Sequence, residues 1–341
     1  MQIITRMTQK YKKYIIVIAL FCIGISIVSY NILYLKSTNT YLSFTTIDYD
    51  NSGLINTLNI YYLEKKDFGS KDPKKIVSLP YDCSYPAGVY DKKKNCIYYS
   101  YRGGTDRDKV FKYDCASGKS EVFLDEFDLI NDISINNDGD VCVIGSPKGE
   151  KKIIPFIYKN DSNTYMYTDI EDDMCYGFNF SYNDNSFIFT CYQNEDRNKK
   201  LEEYNNANFD TVKESDFNIK NHIYVYNVYN KNTKLIHTVS TGNIPTITYN
   251  QGNVIYGQRD GFSMDNMDFF IWNDNENNPI EVDDTIIGII SLEGDHSIIC
   301  VAVSSLSEGI YEYQINSKRF NKCLYNTSIE RIQSAYIISR R

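Results

Sequence analysis

From residue 41 onward the chain shows almost no helical periodicity. Short Ile, Val, Tyr and Phe runs alternate with Asn, Asp and Gly turns, the pattern of strands joined by tight connections. Five stretches share one form, strand, polar turn, strand: "AGVYDKKKNCIYYSY", "ISINNDGDVCVIGS", "FNFSYNDNSFIFTCY", "TITYNQGNVIYGQ" and "GIISLEGDHSIICVAV". Stacking their turns places Tyr90, Asn136, Tyr182, Tyr249 and Ser291 at equivalent positions, at intervals of 46, 46, 67 and 42 residues. Each is followed by a second hairpin, as in "VFKYDCASGKSEVFL" and "IYVYNVYNKNTKLIHTV". Four strands per ~45 residues is the pattern of a β-propeller blade.

Five complete blades fit between residues 84 and 328. Residues 41–80 hold three further strand-like runs but no innermost strand, and "RIQSAYIIS" after Glu330 supplies one at the expected spacing. The fold class predicted is therefore all-β, a six-bladed β-propeller whose ring is closed by strands from both termini. Closing the ring this way removes the edges that an open sheet would expose.

The first 35 residues follow a different pattern. "YIIVIALFCIGISIVSYNILYL", residues 14–35, carries no charge and is preceded by Arg6, Lys10, Lys12 and Lys13. A helix of this length spans the ~30 Å hydrocarbon layer. Its basic N-terminal flank predicts a cytoplasmic segment over residues 1–13, a transmembrane signal-anchor helix over 14–35 and an extracytoplasmic propeller over 36–341. No small-x-small site follows the apolar run, so the segment reads as an uncleaved anchor in the cell membrane.

Segments such as "FSYNDNSFIFTCY" and "IYVYNVYNKNTKLIHTV" resemble the "SPDGxxIxF" and "IYVxDxxTGxxxxLT" elements of TolB-like six-bladed propellers, over most of residues 41–338. The Pro-Asp-Gly turn survives here only as "NNDGD" and "NQGN". The resemblance implies the fold; propellers serve enzymes, binders and scaffolds alike, so it names no ligand.

Charge narrows the partners. The four basic residues before the apolar run leave 32 Lys and Arg against 44 Asp and Glu, a net charge of −12. That surface argues against nucleic acid and anionic headgroups and suits cations, basic peptides or neutral glycans. Eight cysteines follow the anchor without a CxxC pair, several inside apolar strands such as "VCVIG" and "IICVAV", where Cys acts as a small hydrophobe. Free thiols are expected at most of them.

In a propeller the loops joining strand 2 to strand 3, and each blade to the next, share one face, where ligands bind. The 67-residue interval places the one long insertion there, over about 192–221 in blade 4. Its many charges and few large apolar groups predict a solvated or lid-like loop, with one helical turn near residues 199–204. The same face should carry Arg102 and Arg259, able to clamp a carboxylate or phosphate. Tyr192 and Phe262 would offer it stacking surfaces.

Two kinds of chemistry bear on this face. A serine-hydrolase triad needs a base beside its nucleophile, and with three His and no Gly-x-Ser-x-Gly elbow none is expected. Calcium is the other, the one cofactor to consider. In lactonase-like propellers, oxygens at the starts of inner strands converge on this ion, and Asn131, Asp132, Asn243, Asp284 and Glu330 occupy such starts. "DYDNSGLINTLN" also opens like a calcium loop, with Asp48 and Asp50 at positions 1 and 3, but its flanking runs read as strands rather than EF-hand helices. The expectation is a non-enzymatic module binding a protein, peptide, glycan or envelope component; the alternative is a calcium-dependent hydrolase or lactonase.

Overall fold

The computed structural model describes residues 40–49, 55–159, 164–167, 170–180, 186–208, 211–250, 252–262, 267–273, 276–293, 296–304 and 307–340. The apolar segment 14–35 and Asp50 lie outside the described residues. Among the described residues no helix is long and apolar enough to cross a membrane.

The strands form six four-stranded antiparallel sheets, the six predicted blades. Five are unbroken in sequence: β4 (Gly88–Asp91) to β7 (Lys119–Leu124), β8 (Phe127–Ile135) to β11 (Thr164–Tyr167), β12 (Met174–Phe180) to β15 (Asn232–Thr241), β16 (Asn243–Asn250) to β19 (Glu276–Ile280), and β20 (Ile286–Glu293) to β23 (Arg319–Thr327). The sixth joins β24 (Glu330–Ser339) to β1 (Thr40–Tyr49), followed by β2 (Ile55–Glu64) and β3 (Lys74–Pro80).

Second strands carry the core. β5 (Cys96–Tyr101), β9 (Val141–Pro147) and β13 (Ser186–Tyr192) are buried almost throughout. A strand covered on both faces reads as a continuous apolar run rather than an alternating one, which is why "CIYYS" and "SFIFTCY" lack polar alternation. Cys96, Cys142 and Cys191 lie on these strands and Cys300 on β21 (Ser297–Ser304), each buried. All eight cysteines among the described residues are free thiols. Outer strands face water, and β7 and β19 are exposed along most of their length.

Most innermost strands break register at a similar level. Asn131 is one of two extra residues on β8 and Ile287 one of two on β20, and Gln333 is the extra residue on β24; β12 bulges between Cys175 and Phe178, and β16 between Asn243 and Thr246. A bulge kinks its strand and re-aims a side chain, so these five strands bend at the channel they line. Thr190 caps one bulge by accepting from the Gly177 amide at 3.0 Å.

Ring closure rests on β24. It pairs with β1 from Thr40↔Ser339 to Asp48↔Glu330. Immediately after it, Arg340 is 5% exposed and forks onto the fully buried Asp91 at the end of β4, Nε to Oδ1 at 3.0 Å and Nη2 to Oδ2 at 3.2 Å. Its Nη1 donates to the Asn137 carbonyl at 2.8 Å, in the turn after β8. One guanidinium therefore ties the closing blade to the next two. Gly139 leaves room for it: its φ is +87°, and a Cβ there would lie 2.2 Å from Arg340 Nη2.

Replacing one partner of a buried, hydrogen-bonded pair strands the other, at a cost of about 3–5 kcal/mol. Arg340→Ala is expected to lose that much in urea denaturation. Arg340→Lys should recover only part, because an ammonium cannot reproduce the two-pronged geometry.

Candidate functional site

Inner strands start on one face of the ring and end on the other. The starting face carries the interblade connections and the loops from second to third strands, so Arg102, Tyr192, Arg259, Phe262, Asn243, Asp284, Glu330 and Asp48 all belong to it.

The insertion in blade 4 is more ordered than its composition predicts. It forms a twelve-residue helix, α1 (Asn194–Asn205), and a 3-10 turn (Glu214–Phe217) rather than a solvated loop with one helical turn. The reason is aromatic packing between segments distant in sequence. The Tyr204 ring lies 5.1 Å from Phe217 and 5.2 Å from Phe262, which comes from the blade 5 loop. Asn218 clamps that same loop, accepting from the Gly261 amide at 2.7 Å and donating to Asp260 at 2.8 Å. Tyr192 is 4% exposed, and Arg197 of α1 covers both its ring (6.0 Å) and that of Phe262 (5.2 Å). The two aromatics proposed as ligand platforms hold the insertion to the ring.

The arginines also have protein partners or protein surroundings. Arg102 donates to the buried Asp108 at 2.8 Å and to Ser84 at 2.7 Å. Asp108 also accepts the Ile130 amide, so this pair joins blades 2 and 3. Arg259 pairs with Asn243 across β16 and β17 (Asn253–Arg259). The buried Nε of Arg259 and Oδ1 of Asn243 both lack a protein partner.

The oxygens suggested for calcium divide into separate places. Asp48 and Glu330 meet in blade 1, linked by Asn59, whose amide nitrogen lies 2.9 Å from Asp48 and 3.3 Å from Glu330. Thr46, Tyr325 and Tyr61 donate hydroxyls to Glu330 at 2.5, 2.6 and 3.0 Å, and Lys75 lies 3.4 Å away. Burial pushes this carboxyl up, but the hydroxyl donors and the Lys75 charge outweigh it and hold the group below its usual range. Asn131 in blade 3, Asn243 in blade 5 and the exposed Asp284 before β20 stand apart, and the buried Asn131 Oδ1 has no protein partner. Among the described residues no three His, Cys, Asp or Glu side chains form a metal-binding group.

A cavity of about 230 Å3 occupies the central channel. Its lining comes from the early parts of β16, β20 and β24, from Glu308 on β22 (Ser307–Gln314) and from Asp132 on β8, which places its mouth on the insertion-bearing face. The Phe178 and Tyr336 rings, 5.8 Å apart, lie at its deeper end. Asp132 accepts the Ile133 amide at 2.8 Å. Burial raises its carboxyl to about 7, only partly offset by the facing Tyr336 hydroxyl and that amide. Lysines and arginines are absent from the described lining. The sequence placed Asp132 at an inner-strand start but gave no sign of this isolation, which arises because the other inner strands contribute apolar groups, amides and hydroxyls and no cation.

One histidine is oriented by an acid. His222 Nδ1 lies 2.7 Å from Asp172 Oδ2, which also accepts the Tyr224 hydroxyl at 2.9 Å. Among the described residues no Ser, Thr or Cys is hydrogen-bonded to His222, so the dyad has geometry for holding a ring and no nucleophile beside it.

No family model matches the chain, and no curated protein matches it. Among solved structures, TolB from Acinetobacter baumannii is similar with a TM-score of 0.54 at 13% identity, covering 89% of this chain and 68% of that one. The β-propeller domain of the Trilobed protease from Pyrococcus furiosus has a TM-score of 0.49 at 11% identity, covering 83% and 81%. The tricorn protease has 0.47 at 12% identity; this chain spans 35% of it. At such identities the likeness to TolB is one of fold.

An acid whose folded pKa is raised stabilises the fold only while protonated, so its contribution is present below about pH 4 and lost as pH climbs through about 7. Asp132→Asn should therefore stabilise the protein at about pH 8 by about 1–2 kcal/mol, a fraction of the full shift because the acid opens toward solvent. At about pH 4 the variant should match the parent within ~0.5 kcal/mol in denaturant titrations.

Proposed function

We propose that the chain is a membrane-tethered, extracytoplasmic binding module that holds a protein or peptide on the insertion-bearing face of its propeller. The observation that carries this reading is the distribution of exposed apolar side chains. Tyr85, Tyr176, Ile287, Val303 and Ile329 all stand at connections or strand ends of that face, with Ile329 80% exposed. Val122, Leu235 and Phe320 lie on outer strands and Tyr229 on the opposite face, so at loop level the exposed apolar groups favour this face, as at interaction surfaces. α1 stands on the same face, fixed by the Tyr204, Phe217 and Phe262 contacts, so the surface is preorganised and less ordering entropy is lost on binding. The fold shared with TolB is compatible with such a role, and the uncharged run 14–35 with its basic flank supports tethering.

The test compares rim and rear. Tagged full-length chain recovered from its native envelope should retain its partner in the Tyr229→Asp variant, since Tyr229 is exposed on the opposite face. Ile329→Asp and Ile287→Asp should lose it. Equal retention by all three would overturn this choice of face.

A calcium-dependent hydrolase draws on one observation, the unpartnered amide oxygens of Asn131 and Asn243. Against it, the Glu330 and Asp48 carboxylates already accept several protein donors. The expected outcome is the same melting temperature in calcium and in chelator; a calcium-dependent rise of several degrees would favour the hydrolase instead.

A further inference from the structure

The channel beneath the apolar rim holds a combination that the fold itself does not use. Asp132 and Glu308 both line it, and the described lining contains no Lys, Arg or His. Glu308 is engaged at its edge, accepting the Ile332 amide at 3.1 Å with Arg331 nearby. Asp132 has one backbone donor and no cation. Opposite it, Tyr336 is 5% exposed, yet its hydroxyl forms no hydrogen bond of normal geometry with any protein group. The two groups do sense each other, since Tyr336 lowers the Asp132 pKa somewhat and Asp132 raises that of Tyr336. A buried hydroxyl oxygen and a carboxylate thus face the same space, each with acceptor capacity unused. Around them stand Phe178, Ile287 and Ile290.

Acceptors at depth, apolar walls and no resident cation match one chemistry. We propose that the channel takes the side chain of a lysine from a partner peptide docked on the rim, its ammonium donating to Asp132 and Tyr336 and its methylene stem packing on Phe178 and Ile287. The inference rests on the reading that this face binds a partner, and it names the group the partner inserts. Size agrees: about 230 Å3 lies below the roughly 300–1,000 Å3 of drug-sized sites, so the cavity suits one side chain. The net charge of −12 on residues 36–341 favours the approach of a basic partner. Entry of an ammonium would also relieve the isolation of Asp132 by giving its charge a hydrogen-bonded counterion.

Titration of Asp132 makes the site pH-dependent. Its titratable neighbours are Tyr336 from β24, Cys142 from β9 and Glu308 from β22, with Arg331 beside Glu308. Burial keeps Tyr336 and Cys142 neutral throughout the physiological range. A lysine ammonium stays charged over that range. Its affinity should then follow ionisation of the acid, with a gain of about tenfold between about pH 6 and about pH 8.

Ligand-detected NMR on the full chain tests this with an acetylated, amidated Leu-Lys-Leu peptide, its norleucine counterpart and n-butylamine. At about pH 8 the lysine peptide should bind at least ~10-fold tighter than the norleucine peptide, and the preference should shrink toward unity at about pH 6. Asp132→Asn should abolish the preference and its pH dependence. Gly288→Leu should abolish binding with the acid intact: Gly288 lines the cavity, has an ordinary φ and has only loose neighbours at 3.8 Å, so the larger side chain fills the channel without straining the backbone. Lysine and norleucine peptides binding alike in the parent would overturn the proposal, as would a preference surviving both substitutions. Butylamine binding as tightly as the peptide would overturn the peptide source, and displacement by millimolar calcium would reassign the site to a metal. Because no cellular partner is used, this result and that of the rim variants can fail independently.

Discussion

Every blade of this protein depends on the pairing of its last strand with its first. Five sheets are meanders of consecutive strands, each locally encoded, but without a sixth blade between the first and last of them the apolar faces of those two sheets would stay uncovered. β24 ends that problem by inserting beside β1, more than 280 residues away in sequence, as in the Glu330–Thr46 bond. Long-range pairing of this kind involves a large loss of chain entropy with no local reward. The reward comes at both ends of the strand. At one, Glu330 collects the hydroxyls of Thr46, Tyr61 and Tyr325; at the other, Arg340 grips Asp91 and the turn after β8.

The same closure shapes the insertion-bearing face. With both ends of β24 fixed, its bulge at Gln333 sits level with those of β8, β12, β16 and β20, and these bulges re-aim side chains toward the axis. Asp132, next to the extra residue Asn131, is turned into the channel; Ile287, an extra residue of β20, lines it and is partly exposed. The acid-lined channel is a consequence of how the ring closes.

Polar chemistry in the molecule is largely consumed by architecture. Arg102 neutralises Asp108 between two blades, Arg197 roofs two aromatics, and Lys75 serves Glu330. Residue type alone suggested that several of these would meet a ligand, because arginines, tyrosines and carboxylates on loops are common ligand-binding groups. In the fold a neighbour reaches them first and gives them protein partners. Asp132 differs because the described channel lining holds no cation, so its charge has no counterpart within the fold.

The sequence by itself determined the number of blades, the four-strand repeat, the composite blade and the place of the insertion, because these follow from local alternation and spacing that each hairpin carries within itself. The continuous apolar runs of the second strands likewise announced that those strands are buried on both faces. Tertiary structure alone decided which polar groups find partners. Nothing in "SRR" distinguishes Arg340 from a solvated tail, and Tyr204, Phe217 and Phe262 are separated by charged residues that conceal their meeting. Both depend on distances between segments remote along the chain, set only when the ring closes, and single-position chemistry does not contain them.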